Sequence, residues 1–211
     1  MPVSDSLQLF VYMKHQVDNL ITSRRSIRLF KQKKIPLGII KKAVNAGRLA
    51  PSAANLQFLE YLSVNKPKLC EKIFPHTRWA GYLYPRRIPP EGKRPSAYIF
   101  ILINKEKTKQ PDSRDIGAAA ENIILSLLSQ GIGTCWIASL DKTALSKMLK
   151  NPKNYQPKNY QIDSVIACGY PAENPKLETG SKKIKYWLDA KGRLHVPKRP
   201  LKNILHLNKM K

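Results

Sequence analysis

Helical and extended segments alternate along these 211 residues, which predicts one globular domain of mixed α and β structure. Three stretches carry that prediction. Residues 115–131 (DIGAAAENIILSLLSQG) hold no proline and no glycine between Gly117 and Gly131. Ile116, Ala120, Ile123, Ile124, Leu127 and Leu128 cover most of the surface of a helix there, so the helix is buried. Asp115, Asn122, Ser126 and Ser129 form one polar stripe with Glu121 beside it, which argues for a core helix and against a membrane span. Such a stripe is costly to bury unpaired, so it is expected to face another subunit or a site with hydrogen-bonding partners. The second stretch, Ala97 to Ile103 (AYIFILI), is an unbroken apolar run of strand length and predicts a strand covered on both faces. The third is an order: Gly131 and Gly133 follow a helix and precede the β-type run Thr134 to Leu140. A Rossmann phosphate loop has its glycines after a strand, so these do not cradle a dinucleotide. Gly131 is expected to cap the helix, and Gly133 to turn the chain directly into a strand whose start can offer backbone amides to a ligand.

Composition bounds the function classes. With 42% hydrophobic residues and no low-complexity segment, one sizeable core is expected. Cys70, Cys135 and Cys168 are widely spaced, lie in apolar surroundings and lack paired CxxC spacing, so buried thiols in a reducing cytoplasm are expected and a metal site is not. The first ten residues carry Asp5 and no basic–apolar–small-residue pattern, so no secretion signal is expected, nor any membrane span. The net charge of +24, from 38 Lys and Arg against 14 Asp and Glu, requires a phosphate-bearing partner to be considered. The basic residues are dispersed and little interleaved with aromatics, which favours a generally basic surface over a nucleic-acid footprint.

In chain order, Leu7, Phe10, Val11, Val17, Leu20 and Ile21 predict an amphipathic helix over 5–23. Arg24 to Leu29 follows. If extended, it projects Arg24, Ser26 and Arg28 from one face and Arg25, Ile27 and Leu29 from the other. Two guanidinium forks flanking a hydroxyl make an anion site spread over about 13 Å, which suits a ligand with a phosphate at one end and polar edges beyond it. On this pentapeptide alone the plainer alternative, exposed arginines of a basic protein, stays open. Pro36 opens a second helix, with Gly47 where it is expected to stop. In LAPSAANLQ, Pro51 stiffens a turn, Ser52 can cap a helical turn, and Asn55 and Gln57 offer amides that both donate and accept. Such amides suit the edge of a heterocycle, or simply serve the turn's own backbone.

Phe58 to Val64 predicts a strand and Lys68 to Phe74 a short helix. Residues 75–95 then contain Pro75, Pro85, Pro89, Pro90 and Pro95 with Trp79, Tyr82 and Tyr84, a long irregular segment of the kind that forms a lid. Trp79 and Tyr82 offer stacking surfaces there, and Arg86 and Arg87 offer charge to anionic substrates. Asp141 is placed to cap a helix ending near Lys150, and a polar loop is expected over 151–161. Ile162 to Ala167 predicts another strand closed by Gly169, Tyr170 and Pro171. Lys185 to Asp189 and Arg193 to Val196 flank Ala190, Lys191 and Gly192 as a hairpin. This end has apolar residues but little core of its own, so the segment 180–211 is expected to lie as an arm over a partner.

Four stretches, RRSIR at 24–28, APSAANLQ at 50–57, DIGAAAENIILSLLSQGIGTCWI at 115–137 and IACGYP at 166–171, resemble in order and spacing the nitroreductase family of flavin mononucleotide (FMN) enzymes. The resemblance covers nearly the whole chain. It implies an α+β fold with a mixed sheet of four to five strands wrapped by helices, in an intertwined homodimer with FMN sites at the dimer interface. The FMN-binding set it implies is Arg24, Arg25, Ser26, Arg28, Pro51, Ser52, Asn55, Gln57, Ile137, Ala138, Ser139, Lys183 and Lys185. Within it, Arg24, Ser26 and Arg28 would bind phosphate, ribityl and ring edge, Ser52 and Asn55 would reach in from the other subunit, and backbone amides near 137–139 would meet the reactive ring nitrogen. Lys183 and Lys185 would complete the phosphate site. The sequence departs from the family in having Phe58 and Leu59 where Pro-Trp is frequent, and Ala138 where some members carry an acid, which bears on substrate choice.

The implied reaction is NAD(P)H-dependent, ping-pong reduction of a nitroaromatic, quinone or similar small acceptor. It needs little side-chain chemistry, in keeping with the scatter of His15, His76, His195 and His206 and the lack of any Ser/His/Asp pattern. Two alternatives stay open: other flavin chemistry on the same fold, such as reductive dehalogenation or flavin processing, and a basic nucleic-acid-binding protein without flavin.

Overall fold

The computed structural model describes residues 17–149, 159–180 and 184–209. A helix over 17–23 (α1) continues the segment expected from residue 5, whose first part lies outside the described residues. There follow β1 (Phe30–Lys31), α2 (Leu37–Arg48), β2 (Leu59–Val64), α3 (Pro67–Ile73), β3 (Ala97–Asn104), α4 (Ser113–Leu128), β4 (Gly133–Ile137), α5 (Lys142–Met148) and β5 (Tyr160–Pro171). The chain ends in β6 (Lys176–Thr179), β7 (Trp187–Leu188) and β8 (Leu194–Lys198). The architecture is α+β, as the sequence predicts.

The twelve-residue β5 is the spine of a five-stranded sheet. One of its edges pairs with β3, which pairs in turn with β2; the other pairs first with β4 and then with β1. All four ladders are antiparallel, and the parallel element beside this sheet is a single bridge from Ser26 to Thr134. The continuous apolar run of β3 is explained by its position. Tyr98, Phe100 and Leu102 enter one core cluster with Phe30, Phe74, Trp79, Leu145 and Val165. Ala97, Ile99, Ile101 and Ile103 enter the other with Ile40, Phe58, Ile116, Ile123, Ile124 and Leu127. With α3 and α5 on one face and α2 and α4 on the other, neither face of β3 meets water.

Asp112 caps α4, accepting from Arg114 N–H at 2.9 Å, and Gly131 turns the chain toward β4 at φ +72°. The sequence expectation that α2 stops at Gly47 is corrected: the helix runs to Arg48 and Gly47 is buried within it. A Cβ there would lie 2.7 Å from Ile123 Cγ1, so the glycine lets α2 and α4 pack at close range. The polar stripe of α4 finds its partners inside the chain. Asp115 accepts from Ser52 Oγ at 2.7 Å and Ala53 N–H at 2.9 Å, and Asn122 donates to the Ala46 carbonyl at 3.1 Å.

The segment beyond Gly180 is also corrected in part. Its hairpin has a core: Leu194, with Tyr186, Leu188 and Val196, packs on Ala80 and Leu83 of the same chain. The expected polar loop over 151–161 lies mostly outside the described residues, and β5 begins two residues earlier than predicted.

Two predictions follow from these packing relations. Asp115→Ala removes the acceptor shared by Ser52 and Ala53, and is expected to cost about 1–3 kcal/mol, read as a lower Tm with faster proteolytic cleavage within 50–57. In the small sheet, His195 lies between Asp189 (3.1 Å) and Glu178 (2.8 Å) and stacks on Trp187, while Lys176 reaches Glu178 at 3.0 Å. Hydrogen bonds first to Asp189 and then to Glu178 push the imidazole pKa above its ordinary 6.5. A raised pKa contributes stability that is complete below the ordinary value and is lost as pH rises through the folded-state value. An NMR titration should therefore give a His195 midpoint above 6.5, with Trp187 fluorescence changing in the same step; a midpoint below it would contradict the pairing.

Candidate functional site

The 24–28 segment runs extended beside the start of β4. Ile27 N–H donates to the Thr134 carbonyl at 2.8 Å and Ser26 bridges Thr134. Ile27 turns into the core, and a Cβ on Gly133 would lie 2.8 Å from its Cγ1 and 2.9 Å from its Cβ. Glycine at 133 is therefore required less for the turn than for this approach. Two motifs more than a hundred residues apart in sequence become neighbours by it.

The cations of the segment are differently engaged. Arg24 Nε pairs with Glu121 Oε1 of α4 at 3.2 Å. Arg25 Nη1 donates to the carbonyls of Thr22 (2.9 Å) and Arg24. Burial, and then the Arg24 charge, pull the Arg25 pKa below its ordinary value. Arg28 has no carboxylate partner among the described residues; its guanidinium sits 5.1 Å over the Tyr186 ring. It also lies near enough to Cys135 to oppose the upward push that burial exerts on that thiol. Arg25 Nε and Arg28 Nε are buried without a hydrogen-bond partner.

Glu173, just beyond β5, fixes the other side of the segment. Its side chain is 7% exposed. Oε1 accepts from the N–H groups of Arg28 and of Leu29 (3.0 Å for the second), and Oε2 accepts from Arg87 Nη2. Burial, and then the Arg28 charge, lower the Arg87 pKa. This corrects the expectation for two lid residues. Arg87 is locked in an inward ion pair, and Trp79 is 4% exposed, donating from its indole to Thr77 Oγ1 at 2.8 Å. Neither is free to meet a substrate as the sequence reading had it, whereas Tyr82 and Arg86 are exposed. Tyr82 meets Tyr186 at 5.1 Å between ring centroids, and Lys185 Nζ lies 5.4 Å from the Tyr82 centroid. Arg28, Tyr82 and Lys185 thus gather around Tyr186. Lys183 lies outside the described residues.

At the far end of β4, Ile137 is buried while Ala138 and Ser139 are exposed. The Ser139 carbonyl accepts from Arg78 N–H at 3.1 Å and Asp141 N–H donates to the His76 carbonyl at 3.0 Å, which clips this turn to 76–78. The 50–57 loop stands apart: among the described residues no hydrogen bond, ion pair or ring contact joins it to 24–28. Pro51, Asn55 and Gln57 are exposed, and Ser52 Oγ, besides reaching Asp115, accepts from Gln57 N–H at 3.1 Å. Ala54, Asn55 and Gln57 take positive φ of 48°, 54° and 47°, at about 1–3 kcal/mol each. Backbone strain of this sort persists where surroundings over-determine it, here through Asp115.

Three residues outside the binding set expected from the sequence organise this site: Glu121, read only as lying beside the polar stripe of α4, and Glu173 and Tyr186. The available signal was scarcity, since with 14 acids against 38 bases each acid beside an apolar element has many cations competing for it. Among the described residues no cluster of three or more metal-ligating side chains occurs, and no helix is long and apolar enough to cross a membrane.

Comparison with known proteins places the chain. Residues 21–87 match a family model described as "Nitroreductase family", and residues 88–209 match one described as "Putative TM nitroreductase". The chain is 29% identical over 157 residues to the "Putative NADH dehydrogenase/NAD(P)H nitroreductase" of Archaeoglobus fulgidus, over 73% of this chain and 84% of that one. Among solved structures, a Desulfovibrio desulfuricans protein in complex with FMN superposes with TM-score 0.63 at 23% identity, over 92% of this chain and 98% of the other. A BluB-like flavoprotein of Clostridium difficile gives TM-score 0.67 at 19% identity, over 92% and 99%. These structures share the fold, and since the second family model alone spans more than half of the sequence, the chain belongs to the nitroreductase family.

Proposed function

We propose that this protein is an FMN-dependent oxidoreductase that carries electrons from NAD(P)H to a small nitroaromatic, quinone or similar acceptor in two alternating half-reactions. The observation that carries this reading is the juxtaposition of the 24–28 segment with β4, which sets an arginine that lacks a carboxylate partner among the described residues beside the strand that leads to the exposed turn at 138–139. The residues fit the cofactor: orphaned Arg25 Nε and Arg28 Nε are donors awaiting an anionic or polar edge. Bound FMN would supply reversible hydride acceptance. Arg24, Arg25, Ser26, Arg28 and Lys185 would hold its anionic and polar edge, with amides at 137–139 placed to stabilise negative charge on the ring. Tyr82 and Arg86 are the exposed lid positions.

Pro51, Ser52, Asn55 and Gln57, which no hydrogen bond or ion pair joins to 24–28 among the described residues, would serve the partner's site in a homodimer. The exposed Leu201, Ile204, Leu205 and Leu207 at the end of the arm support the same association. Three free, buried thiols support a cytoplasmic setting. The dispersed basic charge gives no reason to assign nucleic acid as a partner. Reductive dehalogenation is the second reading, favoured by 22% identity over 210 residues to the iodotyrosine deiodinase of Haliscomenobacter hydrossis, which spans 87% of this chain and 88% of that one.

The purified protein should show a flavin spectrum that bleaches on adding NADPH or NADH and recovers with a nitroaromatic or quinone; recovery only with a halogenated phenol would select the second reading. A colourless protein that takes up no FMN would refute both. Arg28→Glu should weaken FMN binding by about 2–5 kcal/mol, hence at least about thirtyfold, with the circular dichroism spectrum unchanged. Lys191→Glu, the same charge change in the exposed hairpin turn, is the control, and equal flavin content in the two variants would remove Arg28 from the site. Light scattering should give a dimer at micromolar concentration, with an interface above about 2,000 Å², and removal of residues 201–211 should shift the equilibrium toward monomer.

A further inference from the structure

A cavity of about 520 Å³ opens beside the 138–139 turn, lined by Phe74, Thr77, Arg78, Trp79, Tyr84 and Ile88. Its volume is that of a small-molecule site. Phe74 and Trp79 form one wall as a stacked pair, with centroids 5.9 Å apart and planes 30° from parallel. The polar atoms of this wall are satisfied within it: the Trp79 indole donates to Thr77 Oγ1, which donates to the Phe74 carbonyl at 2.6 Å. Tyr84, 68% exposed, and Ile88, 36% exposed, supply further apolar surface.

The charged groups nearby are accounted for with one exception. Arg94 caps the Phe74 ring at 4.4 Å and is paired with Glu71. Asp141 is engaged by His76 at 3.5 Å and by Ala144 N–H at 3.0 Å. Arg78 is exposed and forms no ion pair among the described residues, though its charge is near enough to Asp141 to help the Ala144 N–H hydrogen bond and His76 lower that carboxyl's pKa; one Nη1 contact to the Pro75 carbonyl at 3.2 Å leaves most of its donors unused. Its backbone N–H is the group bonded to the Ser139 carbonyl, so the cavity adjoins the turn assigned above to the flavin ring.

We infer that this cavity is the electron-acceptor subsite and that it takes planar aromatic anions, the ring against Tyr84 and the carboxylate on Arg78. The inference rests on the oxidoreductase reading for the word acceptor, and on the cavity alone for the ligand class. An aromatic face and one unpaired guanidinium at its edge select a flat ring bearing a negative substituent over its neutral isostere. The strongly positive field of the chain draws anions to the same surface.

The test is calorimetric binding of 4-nitrobenzoate and of neutral 4-nitrobenzamide to the purified protein with whatever flavin it carries. The wild type should bind the carboxylate more tightly. Arg78→Gln should raise its Kd about tenfold while moving that of the amide less than about twofold, and Arg78→Lys should recover most of the loss. Tyr84→Ala should weaken both ligands. Equal effects of Arg78→Gln on the two ligands, or none, would overturn the inference. Flavin content and bleaching by NADPH, measured on the same samples, separate the two readings. Arg78-dependent binding to a flavin-free protein would keep the pocket and sink the oxidoreductase, whereas a reducible flavoprotein with Arg78-independent binding would do the reverse.

Discussion

The arrangement around the candidate site depends on one buried carboxylate, Glu173. A carboxylate with 7% of its side chain exposed is stable only when paired and hydrogen-bonded, and this one meets two backbone N–H groups of the 24–29 segment and the Arg87 guanidinium. It joins three pieces of chain that share no local sequence: the start of the sheet edge, the lid segment and the turn after β5. The N–H groups of Arg28 and Leu29, on half-buried residues, take their acceptor from it. Because Glu173 takes the backbone of Arg28, and Arg87 takes Glu173, the Arg28 side chain has no carboxylate partner among the described residues.

Two further acids, both on α4, complete the frame. Asp115 holds the 50–57 loop and Glu121 holds Arg24; they are six residues apart, about 9 Å along the helix axis. The Arg24–Glu121 pair is partly exposed, at 29% and 46%, so it orients the guanidinium and contributes little stability. The Asp115 contacts are better sheltered and keep a loop with three left-handed non-glycine residues in one shape. In a chain of net charge +24, these few acids decide which cations are used up structurally and which remain for ligands.

The outer part of the 75–95 segment and the hairpin after Gly180 meet through weaker contacts. Arg28 over Tyr186, Tyr186 against Tyr82 and Lys185 over Tyr82 form a partly exposed series of ring contacts, each worth about 0.5–1 kcal/mol. The 75–95 segment therefore has a buried base at Arg87 and Trp79 and an exposed outer face at Tyr82 and Tyr84, beside the cavity at Arg78.

The local signals in the sequence determined most of the elements. The all-apolar run of β3, the buried surface of α4, the N-cap at Asp141 and the hairpin around Gly192 each follow from periodicity or turn chemistry within a few residues. The 24–28 segment was legible for the same reason, but the β-type run read over Thr134 to Leu140 ends at Ile137, and the exposed turn at 138–139 was not legible. What needed the tertiary structure was every relation between distant segments. Gly47 reads as a stop because glycine weakens helices, yet it is retained where Ile123 of another helix comes within contact distance. Arg87 and Trp79 read as lid residues because they lie in a proline-rich segment, yet one is drawn inward by Glu173 and the other by the aromatic core. Whether an arginine is a ligand or a brace depends on which carboxylate lies within a few ångströms of it, and that distance is set by packing and not by sequence separation.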